Sequence, residues 1–171
     1  MLFRSRALDS FEKAIKIEPK NAEYFFHFGN TLLQSKFLIE AKTAFEEAIR
    51  LEPLWFGPRL IMAEVIQKLQ SSMHAISYLK ELEAKFPLSL DVKLRLGQLY
   101  LDTKNIEIAF EYSNEIYQLD KKFNRGLILH HKICLEKNLL PIASNVLNEL
   151  FINRDSKSTS TLRYLSKFQH Q

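Results

Sequence analysis

Residues 22–53 read AEYFFHFGNTLLQSKFLIEAKTAFEEAIRLEP, and this stretch contains a pattern that recurs along the chain. Its alanine at position 41 belongs to an evenly spaced series of alanines, at 7, 41, 75, 109 and 143. Its closing proline belongs to a series with the same spacing, at 19, 53 and 87. A fixed period of about 34 residues indicates a repeat protein. The repeats are expected to stack on one another, because one such unit cannot bury its apolar face alone.

Each repeat is predicted to be a pair of antiparallel helices. The first half of successive repeats carries a small residue, and so does the second half: Gly29, Ala63 and Gly97, then Ala41, Ala75 and Ala109. Small side chains let two helices approach closely, so we expect these residues to face each other at the helix crossing. The recurring proline ends the second helix, since proline lacks an N–H group and keeps its predecessor out of the helical region.

Residues 22–53 resemble a tetratricopeptide repeat (TPR), a helix–turn–helix unit of about 34 residues. The resemblance rests on the spacing of Phe25, Phe28, Gly29, Leu32, Ala41, Phe45 and Pro53, and it extends over residues 5–152. It implies an all-α fold, a right-handed solenoid of antiparallel helix pairs (a TPR-like superhelix) with about four and a half repeats. Such an array is stabilised mainly by stacking of neighbouring units.

The repeat register predicts the organisation of the chain. A TPR-like helical array over residues 1–152 consists of a half repeat and four full units, at 5–19, 22–53, 56–87, 90–121 and 124–152. Each full unit is predicted to contain two helices, and no strands are expected. Residues 153–171 are interpreted as a polar linker and a short C-terminal capping helix, with Leu162, Leu165 and Phe168 on one face.

Two places depart from the repeat pattern. In the fifth unit His131 stands at the small-residue position and His130 at the position of Phe28, so we expect this unit to be splayed or its first helix to be rotated. The chain also begins in the middle of a repeat, so its first helix lacks a partner on the outer side. Because solenoids usually carry capping elements at their ends, the chain is interpreted as part of a longer protein or as truncated at its start.

The charge pattern offers weak support for an acidic partner or a nucleic acid. The net charge is +4, but the tail after Leu150 carries +3 of it, from Arg154, Lys157, Arg163 and Lys167 against Asp155. The body of the chain is therefore nearly neutral, and no basic stripe interleaved with aromatic residues is present. A solvated basic tail is the preferred interpretation, and nucleic-acid binding is not expected.

Several features favour a cytoplasmic protein. The single cysteine, Cys134, cannot form an internal disulfide, so the sequence does not favour an oxidising compartment. No apolar run approaches the roughly 18 residues of a membrane-spanning helix. The first residues contain no apolar core of a secretory signal. Cys134 falls at a core position of the repeat and is interpreted as a buried apolar residue.

The sequence predicts no catalytic residues, no cofactor site and no metal site, so an enzyme is not expected. The adjacent His130 and His131 point about 100° apart on a helix, and no His-Glu-x-x-His motif or second cysteine accompanies them. The four glycines lie too far apart for a phosphate-binding loop. Acidic pairs such as Glu46-Glu47 are interpreted as a solvated helix face.

The resemblance implies a peptide-binding groove on the inner, concave surface formed by the first helices. Its predicted residues are Phe26, His27, Asn30, Leu60, Ile61, Glu64, Leu94, Arg95, Gln98, Ile128, Leu129 and Lys132. Within this set Phe26, Leu60, Leu94 and Ile128 follow each other at the repeat spacing and form an apolar spine. The alternative is that Leu60 and Leu94 are buried against a neighbouring first helix. Trp55 is interpreted as packing between repeats rather than as an exposed anchor.

A carboxylate clamp for chaperone tails is not predicted. In the TPR family such a clamp uses Lys, Asn and Arg on successive first helices, and here only Asn30 and Arg95 match. Phe26 and Asp91 stand at its lysine positions, and Ile61 stands at its second asparagine position.

Three functional hypotheses follow. The first is a non-enzymatic protein–protein interaction scaffold that binds a peptide or helix in the concave groove. The second, again from the resemblance, is the non-catalytic repeat region of a larger enzyme such as a bacterial glycosyltransferase or sulfotransferase. The third is a structural module that self-associates through its unpaired N-terminal helix.

Overall fold

The chain is all-α. The computed structural model describes residues 2–153 and 159–168, and the regular elements in these ranges are helices. They are α1 (Leu2–Ile17), α2 (Ala22–Gln34), α3 (Leu38–Leu51), α4 (Phe56–Leu69), α5 (Ser72–Lys85), α6 (Leu90–Asp102), α7 (Ile106–Leu119), α8 (Asn124–Glu136), α9 (Leu140–Ile152) and α10 (Thr159–Leu165), followed by a 3-10 helix over Ser166–Phe168. The predicted all-α class and the succession of helix pairs are confirmed. The predicted linker falls mostly on residues 154–158, outside the described ranges.

The chain divides into two compact units, Met1–Leu79 and Lys80–Gln171. In the first unit α2 packs against α1 and α3, and α3 packs against α4. In the second unit α7 packs against α6 and α8, and α8 packs against α9. Contact between helices that follow each other along the chain is the arrangement that nearest-neighbour stacking of repeats requires.

The crossing of α2 and α3 depends on small residues, as predicted. Gly29 and Ala41 are both buried at this crossing. A Cβ atom added to Gly29 would lie 2.9 Å from Cε1 of Phe45, so a larger residue there would displace the Phe45 ring. The ring is fully buried and belongs to a core cluster with Leu32 and Met62. The glycine therefore sets how closely the two helices pack.

Polar caps and turn geometry define the helix ends. The Asn21 side chain accepts hydrogen bonds from the N–H groups of Glu23 and Tyr24 at the start of α2. Such a cap satisfies N–H groups that have no partner within the helix. The proline residues that follow α1, α3 and α5 agree with the predicted helix ends.

The turns inside three helix pairs share one backbone geometry. Lys36, Lys104 and Asn138 have φ angles of 67°, 63° and 57°, in the left-handed region. The N–H group of the following residue donates to a carbonyl five positions earlier, as from Phe37 to Leu32. This is the bond of a Schellman motif, which satisfies a carbonyl at the helix end. The repeat is therefore preserved in its turns as well as in its helices.

The fifth pair accommodates both histidines by directing them to different neighbours. His130 is buried beside α7, where its Nδ1 lies 2.9 Å from Oγ of Ser113. His131 is buried beside α10, where its Nδ1 lies 2.6 Å from the hydroxyl oxygen of Tyr164. Close approach of α8 to α7 occurs at Gly126 instead, because a Cβ atom there would overlap Cγ2 of Ile116.

The C-terminal helix continues the repeat. Thr159–Phe168 follow residues 125–134 of α8 by one repeat length, so α10 and the 3-10 helix stand where the first helix of a sixth unit would begin. Tyr164 and Leu165 are buried and pack with Leu127 and Leu150 in one core cluster. The expected capping helix thus has the register of a repeat, which the sequence analysis did not identify.

Candidate functional site

A cleft between α2 and α4, in the compact unit Met1–Leu79, contains some of the residues that were predicted to form a groove. Its volume is about 410 Å³, and its lining residues are Asn30, Leu33, Gln34, Lys36, Ile61, Glu64 and Lys68. Three of these, Asn30, Ile61 and Glu64, were predicted from the repeat register. Glu64 Oε1 lies 3.3 Å from Nζ of Lys68, so this carboxylate is paired. We call this surface the α2–α4 cleft.

The remaining predicted residues of the first unit lie beside other side chains. Phe26 is half-buried, and its ring centroid lies 4.7 Å from that of Trp55. This contact agrees with the interpretation of Trp55 as packing between repeats. His27 is exposed and stacks on Phe11 at a centroid distance of 6.3 Å, while Leu60 is half-buried.

A second cleft lies between α6 and α8 in the compact unit Lys80–Gln171. It encloses about 140 Å³, and its lining residues are Gln98, Leu101, Asp102, Arg125, Ile128, Leu129 and Lys132. Four of these, Gln98, Ile128, Leu129 and Lys132, belong to the predicted set. Arg125 Nη1 donates to Oδ1 of Asp91 at 3.0 Å. We call this surface the α6–α8 cleft.

The two clefts are equivalent in the repeat. Five lining positions recur after two repeat lengths: 30 and 98, 33 and 101, 34 and 102, 61 and 129, 64 and 132. Each cleft has aliphatic side chains at two of these positions and an amide side chain at the first. The charge differs at two positions: Glu64 in the first cleft corresponds to Lys132 in the second, and the neutral Gln34 corresponds to Asp102.

The predicted apolar spine is not a continuous surface. Leu94 has 0% exposure and packs with Ala109 and Ile116 in the core of the second unit. Leu129 has 4% exposure in the same cluster, although it also lines the α6–α8 cleft. The prediction of Leu94 as a groove residue is therefore corrected, because α7 and α8 cover its side chain. Ile128 and Arg95 remain partly accessible.

Several cleft residues were missed by the sequence analysis. Leu33 and Gln34, like Leu101 and Asp102, follow the predicted amide position by three and four places. Residues at these spacings share one face of a helix, so extending the predicted set by one turn would have found them. Arg125 precedes Ile128 by three places and lies on the corresponding face of α8. Lys36 was missed because it belongs to the turn.

A partly buried charged cluster joins the end of α5 to α6 and α7. Lys93 Nζ lies 2.7 Å from Oε2 of Glu115 and 3.4 Å from Oε1 of Glu83. The Tyr112 hydroxyl donates to Glu83 at 3.0 Å and also contacts Nζ of Lys80. Burial raises the pKa of Glu83, but the hydrogen bonds and charges of its partners outweigh this effect and hold the pKa below its usual value. The cluster binds helices to one another.

The environment of His130 favours the neutral ring. The Ser113 hydroxyl donates to the carbonyl of Phe110, so the His130 Nδ1–H group donates to Ser113 Oγ. Nε2 then faces the Cys134 thiol, with a distance of 3.8 Å to Sγ. Burial, with a smaller contribution from His131, lowers the pKa of His130 to about 4. Burial also lowers the pKa of His131 below its usual value.

Acidification should therefore destabilise the fifth helix pair. The unfolded chain binds more protons than the folded chain below the ordinary histidine pKa of 6.5, so the free energy of unfolding should fall as the pH falls from 6.5 toward 4. We expect a loss of about 1–2 kcal/mol from His130 between about pH 7 and pH 5, measured by urea denaturation.

His130→Leu is the matched variant for this prediction, since Leu96 stands at the same position in α6. Ser113 keeps its bond to Phe110 in the variant. The loss of stability between the two pH values should shrink in this variant. An unchanged loss would assign the pH dependence to other groups.

Within residues 2–153 and 159–168, no group of three or more His, Cys, Asp or Glu side chains is arranged to hold a metal ion. In these same ranges no helix has the length and apolar character needed to cross a membrane.

Comparison with known proteins links these repeats to a family. Residues 22–53 and 90–123 match the family model described as Tetratricopeptide repeat. One relative is the probable UDP-N-acetylglucosamine–peptide N-acetylglucosaminyltransferase SPINDLY of Hordeum vulgare, with 26% identity over 134 residues and 78% of this chain. The chain spans 13% of the length of that relative.

Several solved structures share the fold at 17% identity. TTC0263, a thermophilic TPR protein of Thermus thermophilus, gives a TM-score of 0.73 over 96% of this chain and 89% of its own. MamA of Desulfovibrio magneticus RS-1 gives 0.62 over 98% and 88%. YrrB, described as a TPR protein with an unusual peptide-binding site, gives 0.60 over 96% and 84%. At this level of identity the likeness shows the fold.

The two segments matched by the family model are the second and fourth units of the repeat register. The helix pairs and the turn geometry extend the same repeat beyond these segments. The matched repeats support a role as a protein-interaction scaffold. Residues 22–53 and 90–123 of the chain are tetratricopeptide repeats.

Proposed function

We propose that the chain is a non-enzymatic scaffold that binds a peptide or a helix of a partner protein in the clefts between its first helices. The observation that carries this proposal is the equivalence of the α2–α4 and α6–α8 clefts, which use the same repeat positions. YrrB, a TPR protein of the same fold, is described as having a peptide-binding site, which supports this use of the fold. The cytoplasmic location predicted from the single cysteine remains part of the proposal.

The clefts have the chemistry of a peptide-binding surface. Leu33 and Ile61 supply an aliphatic lining in the first unit, and Leu101 and Leu129 do so in the second. Such linings accept apolar side chains of a bound segment, while polar groups at the rim fix its orientation.

The amide side chains at the first cleft position, Asn30 and Gln98, can both donate to and accept from a peptide backbone. Within the described ranges neither amide has a hydrogen-bond partner in the protein. The two equivalent amides are therefore available to a ligand.

The proposal predicts a loss of peptide affinity when both amides are removed. A random peptide library displayed on phage is selected on the full chain, and one selected peptide is labelled for fluorescence anisotropy. Asn30→Ala/Gln98→Ala should weaken its binding about tenfold, since each hydrogen bond contributes about 0.5–1.5 kcal/mol.

The control Thr43→Ala/Gln118→Ala changes exposed polar residues on the second helices α3 and α7. It should keep the affinity within about twofold, as expected for surface substitutions outside the binding site. Equal affinities of the amide variant and the wild type would contradict the proposed groove. Circular dichroism of both variants checks that the helices are retained.

A second candidate is the repeat region of a larger glycosyltransferase. The observation that favours it is the similarity to SPINDLY of Hordeum vulgare, whose name describes a probable N-acetylglucosaminyltransferase. The matched residues are TPR-like helices, so this chain would supply protein recognition rather than catalysis. Sequencing the native transcript on both sides of this region tests the candidate. An open reading frame without a transferase domain would contradict it.

A further inference from the structure

The C-terminal helix α10 presents the same pattern of buried and exposed residues as the first helices of the full units. Thr161, Tyr164 and Leu165 are buried, as are Leu127, His130 and His131, which precede them by one repeat length. Leu162, Arg163 and Ser166 are exposed and fall at the positions of Ile128, Leu129 and Lys132. The face of α10 that corresponds to the proposed groove is therefore open to solvent.

The repeat register defines a third set of cleft positions between α8 and α10. The five positions shared by the two described clefts recur here as Lys132, Leu135, Glu136, Arg163 and Ser166. All five are exposed, and α10 packs directly on α8. Nζ of Lys132 lies 5.7 Å from the ring centroid of Tyr164, which orients the lysine between the two helices. Lys132 also lines the α6–α8 cleft.

The charges of this surface favour an acidic ligand. Lys132 and Arg163 have no carboxylate within salt-bridge distance in the described part of the chain. They contribute two positive charges at the edge of a surface whose apolar part is Leu135 and Leu162, both 42% exposed. Glu136 is the one acidic residue among the five positions, so their net charge is +1.

We propose that α10 forms the last wall of the peptide-binding groove, and that Lys132 and Arg163 bind an Asp or Glu side chain of the ligand next to an aliphatic residue. This inference rests on the proposed peptide-binding function and adds to it a further subsite and the charge of the partner. Complementary charges at such a surface raise specificity and the rate of association.

Selection from the same random phage library tests this subsite. Peptides selected on the full chain should be enriched in Asp and Glu beside aliphatic residues, relative to the input library. Lys132→Gln/Arg163→Gln should lose this enrichment and weaken the binding of an acidic selected peptide about fivefold to tenfold, as expected for two exposed ion pairs. The wild-type protein should bind that acidic peptide more tightly than a version of the peptide in which Gln replaces each Asp or Glu.

The control Lys85→Gln/Lys122→Gln removes the same charge from exposed residues on α5 and in the α7–α8 loop. It should retain the acidic preference. Absence of acidic enrichment on the wild type, its persistence in Lys132→Gln/Arg163→Gln, or an equal loss in the control would overturn the subsite. If the selected peptides are neutral but their binding is still weakened by Asn30→Ala/Gln98→Ala, the acidic subsite is wrong and the proposed function is preserved. If their binding is unaffected by this variant and by Lys132→Gln/Arg163→Gln, both the subsite and the proposed function are wrong.

Discussion

Phe45→Ala is expected to lower the free energy of unfolding by about 3–5 kcal/mol. The Phe45 ring is fully buried, faces Gly29 across the α2–α3 crossing and lies 6.0 Å from the Phe26 ring. Removing it leaves a cavity that Gly29 cannot fill, because glycine has no side chain. The loss therefore combines the apolar surface no longer buried with the cavity left behind.

Trp55 gives a local signal for this experiment. It is the single tryptophan of the chain, and its ring contacts Phe26 in the same unit as Phe45. The urea midpoint followed by Trp55 fluorescence should shift to a lower concentration in Phe45→Ala. Phe37→Ala is the matched control, since Phe37 directly precedes the same helix α3 but is 50% exposed, and it should cost less than about 1 kcal/mol. Similar urea midpoints for the two variants would contradict the described packing of α2 against α3.

Glu83→Ala is expected to cost about 2–4 kcal/mol because it removes the shared partner of Lys93, Lys80 and Tyr112. The side chain of Lys93 is only 10% exposed, so water compensates its charge poorly, and without Glu83 its remaining carboxylate partner is Glu115, which is 54% exposed. Leaving a buried charge poorly compensated is more costly than losing an exposed ion pair. Chemical denaturation followed by circular dichroism measures the difference.

Glu115→Ala is the control for the charged cluster. Glu115 is the other partner of Lys93, but its side chain is 54% exposed, so its removal should cost less than about 1 kcal/mol. The pKa of Glu83 is held below its usual value, so its contribution should be present above pH 4.5 and lost as the pH falls below it. Equal costs for the two variants near neutral pH would show that Glu83 has no special role.

The contrast between these two experiments reflects two ways of packing neighbouring helices. Around Phe45 the interior is apolar, and its stability depends on filling the space beside a glycine. Around Lys93 a charged residue occupies the position that Phe25 has in the second unit of the repeat register, and a network of partners compensates it. Ion networks of this kind contribute less net stability than apolar packing, but the loss of a poorly exposed partner such as Glu83 is costly.

The two clefts illustrate what the repeat register can assign and what it cannot. Asn30 and Gln98 were assigned to equivalent positions, and both line clefts in the structure. Leu94 was assigned to the same surface, yet α7 and α8 cover it completely. The register identifies which helix face a residue belongs to, but the exposure of that face depends on how closely the next helix packs.

The sequence by itself determined the period, the helix pairs and the crossing residues of this protein. These follow from local chemistry: prolines end helices, and glycine and alanine allow helices to approach, so their spacing can be read directly. The turns at Lys36 and Lys104 were less visible, because a lysine in the left-handed region lacks the signal that glycine would provide.

Only the tertiary structure decided the assignments that depend on a neighbouring helix. In the structure His130 contacts Ser113 of α7, whereas His131 contacts Tyr164 of α10. Two adjacent positions in a sequence do not indicate which helix each side chain will contact. The structure showed that Gly126 accommodates Ile116, a contact outside the expected small-residue positions. It also showed that Tyr164 and Leu165 are buried against α8 and α9 while Arg163 is exposed, and this distribution makes α10 a continuation of the repeat. Burial is a property of two surfaces in contact, so it is known only when both are in place.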